Sequence, residues 1–137
     1  MAACSPCRAR VLFAGLRQLM QLLHNTAGTH TTTLAEETIV VVQSEMGRTP
    51  KLNATNGKDH WPYTSAMLMG AGIAGGQVIG GYDEFAIGQN VRLSDGAVSD
   101  AGTPLVSGHL GATLLALAGI DPGGLTGGLE PITAALR

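Results

Sequence analysis

Two short polar clusters hold the side chains of this sequence that are best suited to chemistry. The first cluster, SEMGR, covers residues 44–48, and the second, DHW, covers residues 59–61. Glu45 is a candidate metal ligand or general base. Asp59 and His60 pair a hard oxygen donor with an imidazole, and both groups suit zinc, manganese or a similar divalent ion. Arg48 offers a planar fork to a phosphate, a sulfate or a carboxylate.

Each of these residues also has a purely structural interpretation. Glu45 is equally explained as a solvated carboxylate at a strand end, and Arg48 as its ion-pair partner across a turn. Asp59 is explained as part of an Asx-type turn, and His60 as a hydrogen-bonded ring near Trp61. The sequence contains no G-x-S-x-G pattern, so no catalytic nucleophile can be named.

The first cluster follows an apolar run that predicts a buried strand. Residues Thr38–Val42 show no polar alternation, which is typical of a strand buried on both faces of a parallel sheet. In open α/β sheets, ligands bind just beyond the carboxyl ends of such strands. Ser44, Glu45 and Arg48 follow the run at this position, so we expect a site there.

Three further elements are predicted along the chain. Leucines at helical spacing predict a helix over Arg10–His24 with one buried stripe. The segment Thr64–Met69 predicts a second apolar strand. A last helix is expected from about Gly108 to Ala118, with Ser107 as its capping residue. Gly119 is expected to end it, because glycine readily adopts the left-handed conformation of a C-terminal cap.

Residues Gly70–Gly75 match the G-x-G-x-x-G pattern of dinucleotide-binding proteins after a predicted strand. That fingerprint requires a helix to begin at the glycines, so that its N-terminus meets the pyrophosphate. Residues Gly76–Gly81 are too rich in glycine for such a helix. A glycine-rich turn is therefore the preferred interpretation. The remaining histidines have no partners at ligand spacing, and His109 is expected at the surface or as a capping residue.

Composition excludes several classes of protein. The chain has 137 residues, 45% of them apolar and 13% charged, which indicates one globular domain at most. A formal charge of -2 gives no electrostatic basis for binding nucleic acid or an anionic membrane. No apolar run approaches the roughly 20 residues of a membrane span. Cys4 and Cys7 form a C-x-x-C without the context of a redox or zinc site, so we expect an exposed, incidental pair.

The predicted elements are too few for a complete parallel α/β domain. Two strands and two helices would leave open sheet edges and an undersized core. We therefore expect one incomplete domain that is the C-terminal portion of a larger one. Residues 1–37 would be a helix and linker, residues 38–121 the core and residues 122–137 a glycine-rich tail.

Four segments resemble a bacterial family known as domain of unknown function fifteen-oh-one. They are SEMGRTPKLN (Ser44–Asn53), GKDHWP (Gly57–Pro62), MGAGIAGGQVIGGYDE (Met69–Glu84) and HLGATLLALAGID (His109–Asp121). The combination of the first two is quite specific, and the segments cover most of the chain from Thr38 onward. That family is similar in fold to the alkaline phosphatase and sulfatase superfamily.

The resemblance implies the C-terminal part of an α/β/α sandwich of alkaline-phosphatase-like type, with a mostly parallel sheet and one or two divalent metals at its strand ends. In the superfamily a strand ends in Ser-Asp-His-Gly, whose Asp and His bind metal. Here Glu45 stands in place of that Asp and Met46 in place of that His. His60 matches a further ligand. The superfamily's nucleophile lies near the start of the domain, upstream of the matching residues here.

The resemblance thus implies a metal-dependent hydrolase of phosphate or sulfate esters. Its metal ligands would be Glu45, Asp59 and His60, its metal zinc, manganese or similar, and its anion contact Arg48. The chain would be inactive alone and would need a missing N-terminal half or a partner chain. A periplasmic or exported location is expected from the family, although no signal peptide is visible. The alternative is a non-catalytic binding or assembly module.

Overall fold

A computed structural model describes residues 5–137, with side chains of the first helix described from residue 9. Cys4 and the side chain of Cys7 lie outside the described part, so the prediction for this pair stays a prediction. Two helices, four strands and two short 3-10 turns follow in order: α1 (Ser5–Asn25), a turn at Leu34–Glu36, β1 (Ile39–Gln43), β2 (Gly47–Arg48), β3 (His60–Trp61), β4 (Ala66–Gly70), α2 (Ser107–Leu117) and a turn at Thr133–Ala135.

The four strands form two separate antiparallel pairs. Strand β1 pairs with β4, with Ile39 opposite Gly70 at one end and Gln43 opposite Ala66 at the other. Strand β2 pairs with β3 as a small hairpin. The fold is therefore mixed α/β with small antiparallel sheets.

The sequence predicted a mostly parallel sheet, whereas both pairs described here are antiparallel. Parallel neighbours need a crossover connection of a dozen or more residues, usually a helix. Between β1 and β4 the chain instead folds into the β2–β3 hairpin and returns antiparallel to β1. Strand β1 is also only partly buried, since Val41 keeps 37% of its surface exposed. A run of β-branched residues thus predicted a strand correctly, but neither its direction nor burial on both faces.

Helix α1 is confirmed and is longer than predicted, but its stripe is only partly buried. Leu16 and Leu23 are partly covered, whereas Leu12, Leu19 and Leu22 are exposed. The element packed against α1 is the short 34–36 turn, which is too small to cover the whole stripe.

The predicted last helix is also confirmed, with one correction at its start. Val106 is the residue before the helix, and no side chain caps it, so Ser107 does not act as predicted. At the other end Gly119 adopts a φ of 71°. The amide of Gly119 donates to Ala116 O at 3.0 Å and that of Ile120 to Leu115 O at 2.9 Å. These are the two hydrogen bonds of a Schellman motif, which explains why glycine is needed there.

His109 is buried rather than at the surface, so that expectation was wrong. Only 4% of its surface is exposed. Its Nδ1 lies 2.8 Å from the backbone oxygen of Glu130, and because that oxygen can only accept, Nδ1 carries the proton. Thr113 Oγ1, one turn later, accepts from the amide of Ile132 at 2.9 Å. The two side chains attach the C-terminal segment to α2.

The glycine-rich segment after β4 forms a turn, as predicted. Gly70 and Gly72 have φ angles of 111° and 71°, and a Cβ on Gly70 would strike the carbonyl oxygen of Thr38. No helix begins at these glycines. Among the residues that the structure describes, no helix is both long and apolar enough to cross a membrane.

Candidate functional site

The β2–β3 hairpin brings together two of the residues singled out by the sequence. Arg48 lies directly opposite His60, and Gly47 opposite Trp61. Directly opposite residues share a face of the sheet, with their Cβ atoms about 5 Å apart. Arg48 and His60 therefore project from one face, where both are exposed. Trp61 projects from the other face, because neighbouring residues of a strand alternate.

Trp61 fastens the hairpin to the rest of the chain. Its indole Nε1 donates to the backbone oxygen of Ala86 at 3.0 Å, and its ring lies 6.3 Å from that of Tyr63. Gly47 is required next to it, since a Cβ there would strike the backbone oxygen of Tyr63. This packing leaves the face with Arg48 and His60 open to solvent.

Asn53 closes the loop that joins the two strands. Its Oδ1 accepts from the amides of Thr55 at 3.1 Å and Gly57 at 2.8 Å. Its Nδ2 donates to Oδ1 of Asp59 at 2.7 Å. The amide of Thr49 donates to the backbone oxygen of Asp59 at 3.0 Å, which continues the hairpin. Asn53 thus fixes the position of the Asp59 carboxylate.

Asn53 was missed as a functional residue by the sequence analysis. The available signal was an amide side chain in a segment rich in turn-forming residues, six positions before Asp59. Asparagine side chains commonly bond backbone amides a few residues on, but the sequence does not show that the same side chain also reaches Asp59.

Arg48 is held in place without an acidic partner. Its Nη1 donates to the backbone oxygen of Lys58 at 3.1 Å. In the described part of the chain, an ion pair joins Arg92 to Asp95. No ion pair joins Arg48 to Glu45 there. The structural interpretation of Arg48 as the partner of Glu45 is therefore not realised. The guanidinium keeps further N–H donors for an anion.

Glu45 lies in a different segment from the other candidate ligands. It is exposed in the short connection between β1 and β2, where Ser44 Oγ donates to the backbone oxygen of Met46 at 3.0 Å. Over the described residues, no group of three or more His, Cys, Asp or Glu side chains is arranged to hold a metal. The structure thus does not bring Glu45, Asp59 and His60 together as a three-ligand metal site.

The pKa values of Arg92, Asp95 and Glu37 are shifted by their hydrogen-bond partners. Hydrogen bonds and attraction from Asp95 raise the pKa of Arg92, and the hydrogen bonds from Arg92 lower the pKa of Asp95. Asp95 is therefore engaged in an ion pair, at 2.8 Å. The pKa of Glu37 is lowered to about 2, chiefly by the backbone amide of His30.

Together, fold and site define a mixed α/β protein that presents an arginine, a histidine and an oriented aspartate on a short hairpin. The chain belongs to the family described as "Protein of unknown function (DUF1501)", whose model matches residues 27–131. The sequence segments quoted above predicted this family correctly. Neither a curated protein nor a solved structure matches the chain.

Proposed function

We propose that this chain forms part of a hydrolase of phosphate or sulfate esters, and that the β2–β3 hairpin binds the anionic group of the substrate. The observation that carries the proposal is the pairing of Arg48 with His60 on one exposed face. An arginine fork bonds two oxygens of such a group at once, and an imidazole N–H opposite it can bond a third. The resemblance to phosphatases and sulfatases supports the same substrate class and an α/β/α sandwich for the larger domain.

The backbone contact of Arg48 favours binding of an anion from solvent. Because Nη1 bonds the oxygen of Lys58, the guanidinium is oriented without neutralisation of its charge. Asp59 precedes His60 in the chain, and its Oδ1 accepts from Asn53.

The described residues meet the needs of a divalent metal only in part. Asp59 and His60 supply one oxygen and one nitrogen donor, and the bond from Asn53 is the kind of support that metal-binding carboxylates have. Catalytic zinc sites use three protein ligands, however, and residues 5–137 contain no such group of three. These residues alone therefore do not fit a catalytic metal. Ligation by Asp59 and His60 requires a further ligand from beyond them.

Replacement of Arg48 tests the proposed anion contact. We expect Arg48→Ala to weaken binding of inorganic phosphate by about tenfold to a hundredfold, because a charge-assisted hydrogen bond contributes roughly 1.5–3 kcal/mol. Arg48→Lys, which keeps the charge and loses the fork, should fall between. Lys51→Ala removes an exposed cation from the adjoining loop and is the matched control. Phosphate titration by NMR measures all four proteins, and equal weakening by Lys51→Ala would contradict the assignment.

Replacement of His60 tests the metal hypothesis separately. Where the further ligand is supplied, we expect His60→Ala to lower zinc or manganese affinity, since the imidazole is the nitrogen donor next to Asp59 in sequence. His30→Ala is the control, because His30 is also exposed and belongs to another loop. Calorimetric titration compares the three proteins. Unchanged affinity in His60→Ala would remove His60 from the ligand set.

The alternative, a non-catalytic binding or assembly module, is favoured by a different observation. Several large apolar side chains are highly exposed, among them Val78, Phe85 and Leu125, and exposed apolar side chains mark an interaction site where they adjoin one another. This alternative predicts no phosphate binding by the wild-type chain, so the Arg48 titration also separates the two functions.

A further inference from the structure

The apolar face of α1 is only partly covered in the folded chain. Val11, Phe13 and Leu22 expose 73%, 57% and 63% of their surfaces. At 100° per residue, the apolar side chains from Val11 to Leu23 occupy an arc of about 200°. Arg10 and Arg17 lie together on the opposite side. The helix is therefore amphipathic, with a broad apolar face whose described packing partner is the 34–36 turn.

The exposed surface of the whole chain is larger than its mass requires. The accessible area is 9502 Å² for 14.0 kDa. A compact monomer of this mass exposes about 6,700 Å², so the excess is about 2,800 Å². Stable homodimers bury about 1,000–2,500 Å² on each partner. The excess is thus sufficient for a large interface between two copies.

Charge separates α1 from the rest of the chain. The helix segment contains Arg8, Arg10 and Arg17 and no acidic residue, whereas all ten acids lie after residue 25. Residues 26–137 contain these ten acids and five Lys and Arg residues, so they carry a net charge of -5. A second copy therefore offers an oppositely charged body to α1. An anionic membrane would attract α1 and repel the remainder, and two α1 helices face to face would repel each other.

The loop Tyr82–Gly88 is the acidic and apolar surface that best suits α1. Phe85 exposes 72% of its surface and Ile87 exposes 38%. Glu84, which precedes Phe85, is exposed. Asp83 Oδ1 accepts from the amides of Phe85 at 2.9 Å and Ile87 at 2.8 Å, which holds the loop in one shape. The apolar patch is consequently preorganised, which lowers the entropic cost of binding.

We propose that this protein forms a two-fold symmetric dimer in which α1 of each copy packs on the 82–88 loop of the other. The apolar face of the helix covers Phe85 and Ile87, while Arg10 and Arg17, on the other side of the helix, are attracted by the net negative charge of the partner. Two-fold symmetry creates the contact twice, so both partly covered helices are buried at once. This proposal is independent of the ester hydrolase proposed above.

Light scattering with size-exclusion chromatography tests the dimer on the full 137-residue chain. The wild-type mass should be twice the 14.0 kDa of one chain. Leu22→Asp and Phe85→Asp should each raise the dissociation constant by at least tenfold, because each places a charge in the apolar contact. Arg17→Glu, outside the apolar face, should weaken the dimer as well. Val78→Asp is the control, since Val78 is 89% exposed and outside both surfaces, and should stay dimeric.

A mixing experiment tests whether α1 of one copy packs on the 82–88 loop of the other. Leu22→Asp and Phe85→Asp chains, each monomeric alone and each with the wild-type circular dichroism spectrum, should form a dimer when mixed. In that mixed dimer one of the two contacts pairs an unaltered α1 with an unaltered loop. Failure of the mixture to dimerise would overturn the proposed arrangement. A monomeric wild-type chain, including one that binds anionic phospholipid vesicles, would overturn the dimer altogether.

Discussion

At the scale of single residues, Glu37 shows how strongly one side chain can organise a loop. Its Oε1 accepts from the amide of His30 at 2.5 Å, from the amide of Thr31 at 2.7 Å and from Thr31 Oγ1 at 3.1 Å. These donors favour the ionised carboxylate and lower the pKa of Glu37 from 4.5 to about 2, with the His30 amide contributing most. The connection from α1 to β1 therefore depends on a charged Glu37.

The lowered pKa of Glu37 predicts a loss of stability in acid. A group whose folded pKa is depressed stabilises the protein fully above its unfolded pKa, here near 4.5, and loses that effect as the pH falls towards about 2. Glu37→Gln should therefore lower the free energy of unfolding at pH 7 and flatten its fall between these pH values. Urea denaturation over that range measures both effects.

Glu36→Gln is the matched control for this pH dependence. Glu36 is the neighbouring acid, and its Oε2 accepts one longer bond, from the Thr32 amide at 3.2 Å. A pH profile that flattens equally in Glu36→Gln would show that the acid sensitivity does not come from the Glu37 cluster.

At the scale of elements, local sequence patterns predicted which helices and strands form better than they predicted which strands pair. The strand runs around residues 39–43 and 66–70 and both helices were found because their periodicity and composition are local properties. The antiparallel pairing of β1 with β4 depends on the chain between them. That chain folds into the β2–β3 hairpin instead of a helical crossover. His109 was misplaced for a similar reason. Its burial depends on Glu130, which is 21 residues away in sequence.

The candidate site shows the same division between chemistry and geometry. Arg48, Asp59 and His60 were predicted from side-chain chemistry alone, and their roles stay predictions. Strands of two residues, such as β2 and β3, are too short for any periodic signal, so the facing of Arg48 and His60 could not be predicted. That facing depends on a loop closed by Asn53, whose bonds are properties of the folded loop.

At the scale of the whole molecule, the core is small for the length of the chain. Five apolar residues are buried among those described: Ala35, Ile73, Val91, Ala112 and Ala135. Val91 is central to the 79–105 segment, because its amide donates to Thr103 O and its oxygen accepts from the Thr103 amide, both at 2.9 Å. Folded proteins are only marginally stable. Because few side chains are buried here, each of them contributes a large share of the free energy of unfolding.

A single truncation at Val91 should therefore have a large effect on the free energy of unfolding. Val91 is 1% exposed, so Val91→Ala removes about two buried methyl groups' worth of apolar contact and leaves a cavity, which costs about 2 kcal/mol. For a domain of this size, that cost lowers the melting temperature by about 7 °C.

Val78→Ala makes the same chemical change at a residue that is 89% exposed, and should change stability by less than about 0.5 kcal/mol. Thermal unfolding at one fixed protein concentration compares the two, because dimerisation makes the melting temperature depend on concentration. Equal effects at Val91 and Val78 would mean that the buried centre of the 79–105 segment contributes no more to stability than the surface does.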